Sequence, residues 1–258
     1  MLNKKDLIKT SVFLFPMIVW GYAQLHQEYP DGVMATGFFR LLSGNIHLLY
    51  QLMFVMGFFL TIVCRYYLMQ LNRFDDFILT RIGYRKYYRK SCTAVFLTTA
   101  ITTFLFHIII VFLCLHNSDQ LFEVWDIEDT ILFSTNPFWN VILYVLCSSV
   151  GMGLFFLMMY SLSYFIRNKY IFYVLPVCII FFTLFLFVGI SSLSDMLFQG
   201  NIEWRRTVVC SITPMNLYTP GMMFEVYGWI SFILSSFLYG SIFLVMSKLS
   251  WKVRMKHG

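Results

Sequence analysis

Long stretches without a charged side chain limit this chain more than any other feature. Such runs, each of 18 residues or more, cover residues 10–27, 41–64, 91–118, 130–166, 170–194 and 226–247. A helix crosses the ~30 Å hydrocarbon core of a bilayer with roughly 20 apolar residues. The chain is 59% hydrophobic and only 12% charged, whereas a soluble domain is about 25% charged. The sequence therefore predicts an all-α integral membrane protein, with residues 1–258 forming a single transmembrane domain.

The charge-free runs predict six transmembrane helices. We expect them near residues 9–25, 46–64, 92–115, 139–165, 171–193 and 226–247. A seventh charge-free run, residues 207–224, contains Pro214, Pro220 and Gly221. Proline removes a backbone donor, and a lipid-exposed helix needs every backbone group bonded internally. We therefore expect residues from about 200 to 224 to form an outer re-entrant or surface-lying segment that packs against protein.

The distribution of charge predicts the orientation. If the N-terminus is cytosolic, the inner segments hold 16 of the 19 Lys and Arg residues, and the outer segments hold 10 of the 13 acidic residues. Cytosolic loops of membrane proteins are enriched in Lys and Arg. Both termini are therefore expected inside, in a multi-pass protein of the cell membrane.

The predicted spans lack the residues that several functions need. Apart from Lys9 and His47, which lie at the starts of the first and second spans, they contain no Asp, Glu, Lys or Arg, and His107 is the one imidazole in their interior. This argues against a proton relay or ion pathway. No H-E-x-x-H motif or C-x-x-C pair is present, so neither a metal site nor a disulfide framework is expected. No G-x-x-x-x-G-K-[ST] loop occurs, so any ATP would be bound by another chain.

Catalysis by a serine nucleophile is the remaining enzymatic function to consider. Ser148 or Ser149 could in principle pair with His107. However, Ser149 and Gly153 are four residues apart, as are Ser236 and Gly240, and this spacing is typical of close helix packing. We therefore expect no catalytic residue in this chain.

The charged residues gather in one segment between the second and third spans. Seven basic residues and two acids lie between Arg65 and Lys90. The apolar residues Phe74, Phe77, Ile78 and Ile82 share one helical face. Gly83 can end such a helix in a left-handed conformation. We predict a short cytosolic helix at about 70–82, followed by a basic and aromatic collar at the membrane. Positive charge that merely sets the orientation would also explain the collar.

This arrangement resembles the permease subunits of ABC-2 type exporters. The features in common are six helices with both termini inside, a cytosolic helix in the stretch FDDFILTRIGYRKYYRKS, and a proline-bearing outer segment. The resemblance covers the whole chain in topology, but only residues 70–92 in local pattern. It implies that two permease subunits, identical or related, form the pathway, and that two cytosolic ATPase subunits bind ATP and Mg²⁺ beneath them.

The resemblance also implies roles for individual residues. The residues expected to contact the ATPase, as a coupling helix, are Phe74, Asp75, Asp76, Phe77, Ile78, Arg81 and Arg85. The residues expected to line the pathway are Tyr50, Gln51, Met56, His107, Phe181, Phe182 and Phe185. Such an apolar lining suits an amphipathic cargo such as a peptide, a drug or a lipid-like molecule. No nucleic acid partner is expected.

A different class of function fits the same features. A membrane scaffold or assembly subunit could recruit a cytosolic protein through residues 71–92 without transporting anything. The two hypotheses differ in whether an ATPase with a phosphate-binding loop is encoded beside this chain.

Overall fold

The computed structural model of the protein describes residues 12, 14–23, 44–72, 81, 83–116, 133–134, 136–197, 202–221 and 228–255. Most of these residues are helical, and none of them forms a strand. An all-α protein is therefore confirmed over the described part of the chain.

The helices are labelled in chain order. They are α1 (Leu14–Ala23), α2 (Gly44–Phe58), a π-helical turn (Phe59–Val63), α3 (Cys64–Leu71), α4 (Tyr84–His116), α5 (Pro137–Leu162), α6 (Lys169–Leu197), α7 (Ile202–Cys210), α8 (Met215–Tyr218) and α9 (Gly228–Met255). Asn136 caps α5 by accepting a hydrogen bond from the Phe138 N–H at 3.0 Å, with Pro137 at the first helical position, as both residue types favour.

Five helical stretches of the described chain are long and apolar enough to cross a membrane. They are Leu49–Leu71, Tyr84–His116, Phe138–Leu162, Lys169–Leu193 and Gly228–Ser250. They correspond to the second through sixth predicted spans. The first predicted span is described as the helix Leu14–Ala23, which is shorter than a crossing requires. The chain thus has the helices of a multi-pass membrane protein, and a sixth span stays a prediction.

The third predicted span differs most from the structure in its start. The helix α4 begins at Tyr84 rather than near residue 92, so the basic and aromatic collar forms its first two turns. Hydropathy marks only the apolar part of a helix, and α4 extends beyond that part at its N-terminal end.

A π-helical turn interrupts the second span at Phe59–Val63. The Cys64 N–H donates to the Phe59 carbonyl, five residues back. The Thr61 hydroxyl donates to the Gly57 carbonyl at 2.7 Å and approaches the Phe58 carbonyl at 3.3 Å. A hydroxyl that bonds to its own helix competes with the regular hydrogen-bond ladder. This turn was not predicted from the sequence.

The helix α5 lies at the centre of the bundle. In its most apolar window 72% of the residues are buried, against 22% for α6 and 17% for α9. A Cβ atom at Gly153 would lie 2.7 Å from the Phe96 ring of α4, which confirms the close packing expected there. The same expectation for Gly240 is wrong in the described chain, because nothing lies within 4 Å of its added Cβ.

The bundle has two ends, which are described here by the helix termini that meet there. One end, here called the basic end, holds Leu71, the start of α4, the end of α5 and the last turns of α9. At the opposite end the Trp229 indole N–H donates to the Phe133 carbonyl at 3.0 Å. This contact holds the beginnings of α5 and α9 together.

Candidate functional site

The segment predicted to contact an ATPase follows α3 and precedes α4 in the sequence. Phe74, Asp75, Asp76, Phe77 and Ile78 lie outside the described residues, so their predicted roles stay predictions. Arg81 and Arg85 are described, and both side chains are exposed.

Gly83 separates the predicted coupling segment from α4. Its φ angle is 74°, which confirms the predicted left-handed conformation, one that residues with a Cβ rarely adopt. The backbone therefore departs from the right-handed helical conformation at Gly83, immediately before α4.

Five tyrosines at the basic end form what we call the tyrosine cluster: Tyr66, Tyr84, Tyr88, Tyr160 and Tyr164. Ring centroids of neighbouring members lie 5.6–6.1 Å apart. The Tyr160 and Tyr164 hydroxyls form a hydrogen bond of 2.7 Å. Burial holds the pKa of Tyr164 well above its usual range, so this hydroxyl remains neutral. The cluster joins α3, α4 and the end of α5 through rigid aromatic contacts.

Polar contacts fix both flanks of the predicted coupling segment to the bundle. On the α3 side, the Ser163 hydroxyl donates to the Gln70 side-chain carbonyl at 3.0 Å. On the α4 side, the Tyr84 hydroxyl donates to the Ser250 hydroxyl of α9 at 3.4 Å. A displacement of α3 would therefore act on α5, and a displacement of α4 would act on α9.

The residues predicted to line a pathway fall into two separate groups. Tyr50, Gln51 and His107 are buried inside the bundle, and Met56 is half-buried. The second group, on α6, is exposed to 40% at Phe181, 64% at Phe182 and 75% at Phe185. Within one chain the structure does not bring the two groups together.

The first group belongs to an aromatic interior. The Tyr50 ring meets Trp20 of α1 edge-on at 5.5 Å. The His107 ring lies about 6 Å from Phe54, Phe106 and Tyr144, with centroid distances of 6.0, 5.9 and 6.1 Å. His107 thus sits among rings of α2, α4 and α5. Tyr144 belongs to a neighbouring helix.

The exposed face of α6 is opposite the side that packs on the bundle. Phe172 stacks on Tyr67 at 4.1 Å and contacts Phe59 of the π-helical turn at 5.1 Å. Phe181, Phe182 and Phe185 face away from these contacts. They are available to lipid or to a second protein subunit.

The proline-bearing segment forms a helical hairpin, residues 202–221, made of α7, a turn and α8. Its residues Thr207, Cys210, Thr213, Asn216 and Leu217 are each 0% exposed. This confirms that the segment packs against protein. Polar side chains bond within it, because the Asn216 amide donates to the Cys210 sulfur at 2.9 Å and accepts from the Gly221 N–H at 3.2 Å.

Two long helices hold the hairpin by hydrogen bonds to its backbone. The Ser148 hydroxyl of α5 donates to the Tyr218 carbonyl. From α9, the Ser235 hydroxyl donates to the Ser211 carbonyl at 2.9 Å, and the Tyr239 hydroxyl to the Ile212 carbonyl at 2.5 Å. These bonds satisfy carbonyls that a broken helix leaves without partners.

The hairpin reaches well along the bundle. Ser148 lies eleven residues beyond Pro137, and Tyr239 lies eleven residues beyond Gly228. At a rise of about 1.5 Å per residue, both contacts lie roughly 16 Å from the start of their helices. Gly151 makes room for the hairpin, since a Cβ added there would clash with the Leu217 carbonyl oxygen.

The hairpin also contains a buried thiol of low reactivity. Burial raises the pKa of the Cys210 thiol to about 12, so the reactive thiolate is scarce at neutral pH. The described cysteines form no disulfide, and the described residues contain no group of His, Cys, Asp and Glu able to hold a metal ion.

The sequence did not predict the tyrosine cluster or the contacts that hold the hairpin against α5 and α9. The spacing of Tyr84 with Tyr88 and of Tyr160 with Tyr164 places each pair on one helical face. That spacing could have indicated a cluster, although nothing in it shows that the two pairs meet. No protein-family model, curated protein or solved structure matches this chain.

Proposed function

We propose that this protein is the transmembrane permease subunit of an ATP-driven exporter of the ABC-2 type. The observation that carries the proposal is the anchoring of α3 and α4, the two helices on either side of residues 73–82 in the sequence. Both flanks of this segment are tied to the bundle, by Gln70 with Ser163 and by Tyr84 with Ser250. A cytosolic protein that binds this segment would move α3, α4, α5 and α9 together. Coupling to an ATPase requires such a joint movement.

The mechanism follows from this anchoring. ATP binding closes the partner ATPase dimer, and the coupling helix passes that movement to the tyrosine cluster. Because aromatic packing does not deform continuously, the cluster moves α3, α4 and the end of α5 as one body. The π-helical turn separates this body from α2, and such turns are frequent at functional sites. The result is a rigid-body switch between two states of the pathway.

The pathway itself requires a second permease subunit in this proposal. The exposed aromatic face of α6 would meet the corresponding face of the second copy, and Phe181, Phe182 and Phe185 would line the space between them. The apolar lining favours an amphipathic cargo with a peptide, drug or lipid-like character. The helical hairpin would dip into the outer half of the membrane as a re-entrant element. Its broken backbone would be tolerated there because it is buried in protein.

Capture of the ATPase tests this proposal. The chain is co-expressed with the ATPase encoded beside it and purified in a neutral detergent. We expect the two proteins to co-purify, and the double variant Phe77→Ala/Ile78→Ala to lose the complex by at least about tenfold, since truncating two buried anchors costs about 2 kcal/mol or more. Asp76→Arg should have a comparable effect because it reverses a charge beside the anchors.

The matched control is Lys86→Gln/Lys90→Gln, which changes two exposed residues of the collar and should leave the complex intact. If the chain captures no ATPase, or if the complex survives both the Phe77/Ile78 and the Asp76 variants, the exporter proposal fails. Capture of a different cytosolic protein through the same residues would instead favour a membrane scaffold.

A further inference from the structure

A groove with three cationic side chains lies at the basic end, between α4 and α9. It has a volume of about 440 Å³ and is lined by Arg85 and Arg89 of α4 and by Lys248 of α9, all of them exposed. No Asp or Glu is among the described residues that line it. Like charges brought together on one surface repel each other, so the groove is electrostatically suited to an anion.

The remaining lining supplies hydroxyl groups and an apolar wall. Tyr84, Thr93 and Ser247 contribute hydroxyl groups, and Cys92 and Phe243 contribute apolar surface. The hydrogen bond between Tyr84 and Ser250 joins the two helices at this point. The groove is therefore formed in advance and does not depend on its ligand to bring α4 and α9 together.

The position of the groove along the helices limits what can occupy it. The third predicted span begins near residue 92 and the sixth ends near residue 247. The lining residues Cys92, Thr93 and Ser247 therefore place the groove where both helices are expected to leave the hydrocarbon layer. This is the depth of lipid phosphate groups. Basic pockets between transmembrane helices on the cytoplasmic side are typical sites for anionic headgroups.

We propose that this groove binds a phosphate-bearing anion, with Arg89 and Lys248 as its principal cationic contacts. The guanidinium fork suits phosphate oxygens, and the ammonium adds a point charge from the opposite helix. Phe243 and Cys92 provide the apolar side that the glycerol and upper acyl chain of a lipid would contact. The inference rests on the proposed membrane topology and not on ATP-driven export.

Thermal stabilisation of the purified full chain tests the proposal. The melting temperature Tm is measured in neutral detergent with phosphatidylglycerol, with phosphatidylcholine, and with inorganic phosphate against chloride at equal ionic strength. We expect phosphatidylglycerol to raise Tm by about 4 °C when it is in excess over its dissociation constant. In Arg89→Gln/Lys248→Gln the shift should fall to less than half, while Lys86→Gln/Lys90→Gln should keep it.

The outcomes distinguish a lipid headgroup from a free phosphate, and both of these from the absence of phosphate binding. A shift with phosphatidylglycerol alone identifies a lipid headgroup, and an equal shift with inorganic phosphate, lost in the same variant, identifies a free phosphate. If neither anion shifts Tm, or if the Arg89/Lys248 and Lys86/Lys90 variants behave alike, the groove does not bind phosphate. The Arg89/Lys248 variant should still capture the ATPase, so failure here is distinguishable from failure of the exporter proposal.

Discussion

Gly151→Ala is expected to destabilise the protein by about 3 kcal/mol or more. The new methyl group would clash with the carbonyl oxygen and carbon of Leu217. These are backbone atoms of the hairpin, which cannot rotate away as a side-chain end could, and overpacking of this kind typically costs 1–3 kcal/mol or more. The hairpin must therefore shift off α5, and the Ser148 hydrogen bond to Tyr218 is lost with it. Denaturant unfolding of the purified chain measures the loss.

Gly240→Ala is the matched control for this substitution. Gly240 also lies within a long helix, but its added Cβ meets nothing within 4 Å. Because alanine favours helix over glycine by about 1 kcal/mol, this variant should be as stable as the wild type or slightly more so. Equal stability of the two variants would show that the hairpin does not lie against α5.

Asn216→Ala is expected to lower the free energy of unfolding by about 2 kcal/mol. The Asn216 side chain is 0% exposed and bonds to both Cys210 and the Gly221 N–H. Its removal leaves a buried backbone donor without a partner, which costs about 1–3 kcal/mol. The same unfolding experiment reads out the change. An independent sign is faster alkylation of Cys210, whose burial otherwise protects it.

Ser192→Ala provides the comparison for Asn216→Ala. The Ser192 hydroxyl is exposed and bonds only to the Val188 carbonyl of its own helix at 2.9 Å. Exposed substitutions of this kind usually stay within about 0.5 kcal/mol. If Asn216→Ala also stays within that range and Cys210 remains protected, the polar contacts do not hold the hairpin.

The sequence predicts the helices well because the bilayer imposes a simple constraint. A span needs a long run without charge, and the second through sixth predicted spans each contain such a run and each match a described apolar helix. The ends of the helices were less predictable, because hydropathy marks the apolar part of a helix and not the residue at which it begins. The helix α4, for example, begins at Tyr84, before its apolar part. The π-helical turn at Phe59–Val63 depends on how Thr61 bonds locally, which hydropathy does not encode.

The candidate site was only partly predictable for a different reason. The left-handed turn at Gly83 follows from local chemistry, and so does the burial of a proline-bearing segment. The partners of these elements do not, because they depend on how helices distant in sequence pack. Gly151 and Gly240 illustrate this: both are glycines within long helices, yet one receives the Leu217 backbone and the other faces open space.

The central claim is that a cytosolic ATPase drives a conformational switch in a pair of these chains. Cys178 allows a direct measurement, because it is the exposed cysteine among the described ones and lies on α6 beside Phe181 and Phe182. A nitroxide label is attached to it in a Cys92→Ser/Cys147→Ser background, which removes the two half-buried thiols. Double electron–electron resonance then reports the distance between the labels of two subunits in the ATPase complex.

We predict a defined distance between the two labels in the nucleotide-free complex and a shift of several ångströms when ATP and vanadate are added. The shift should vanish in Phe77→Ala/Ile78→Ala, because the coupling helix no longer engages the ATPase. A distance that ATP leaves unchanged in the wild-type complex, or the absence of any coupling between labels, would contradict the account.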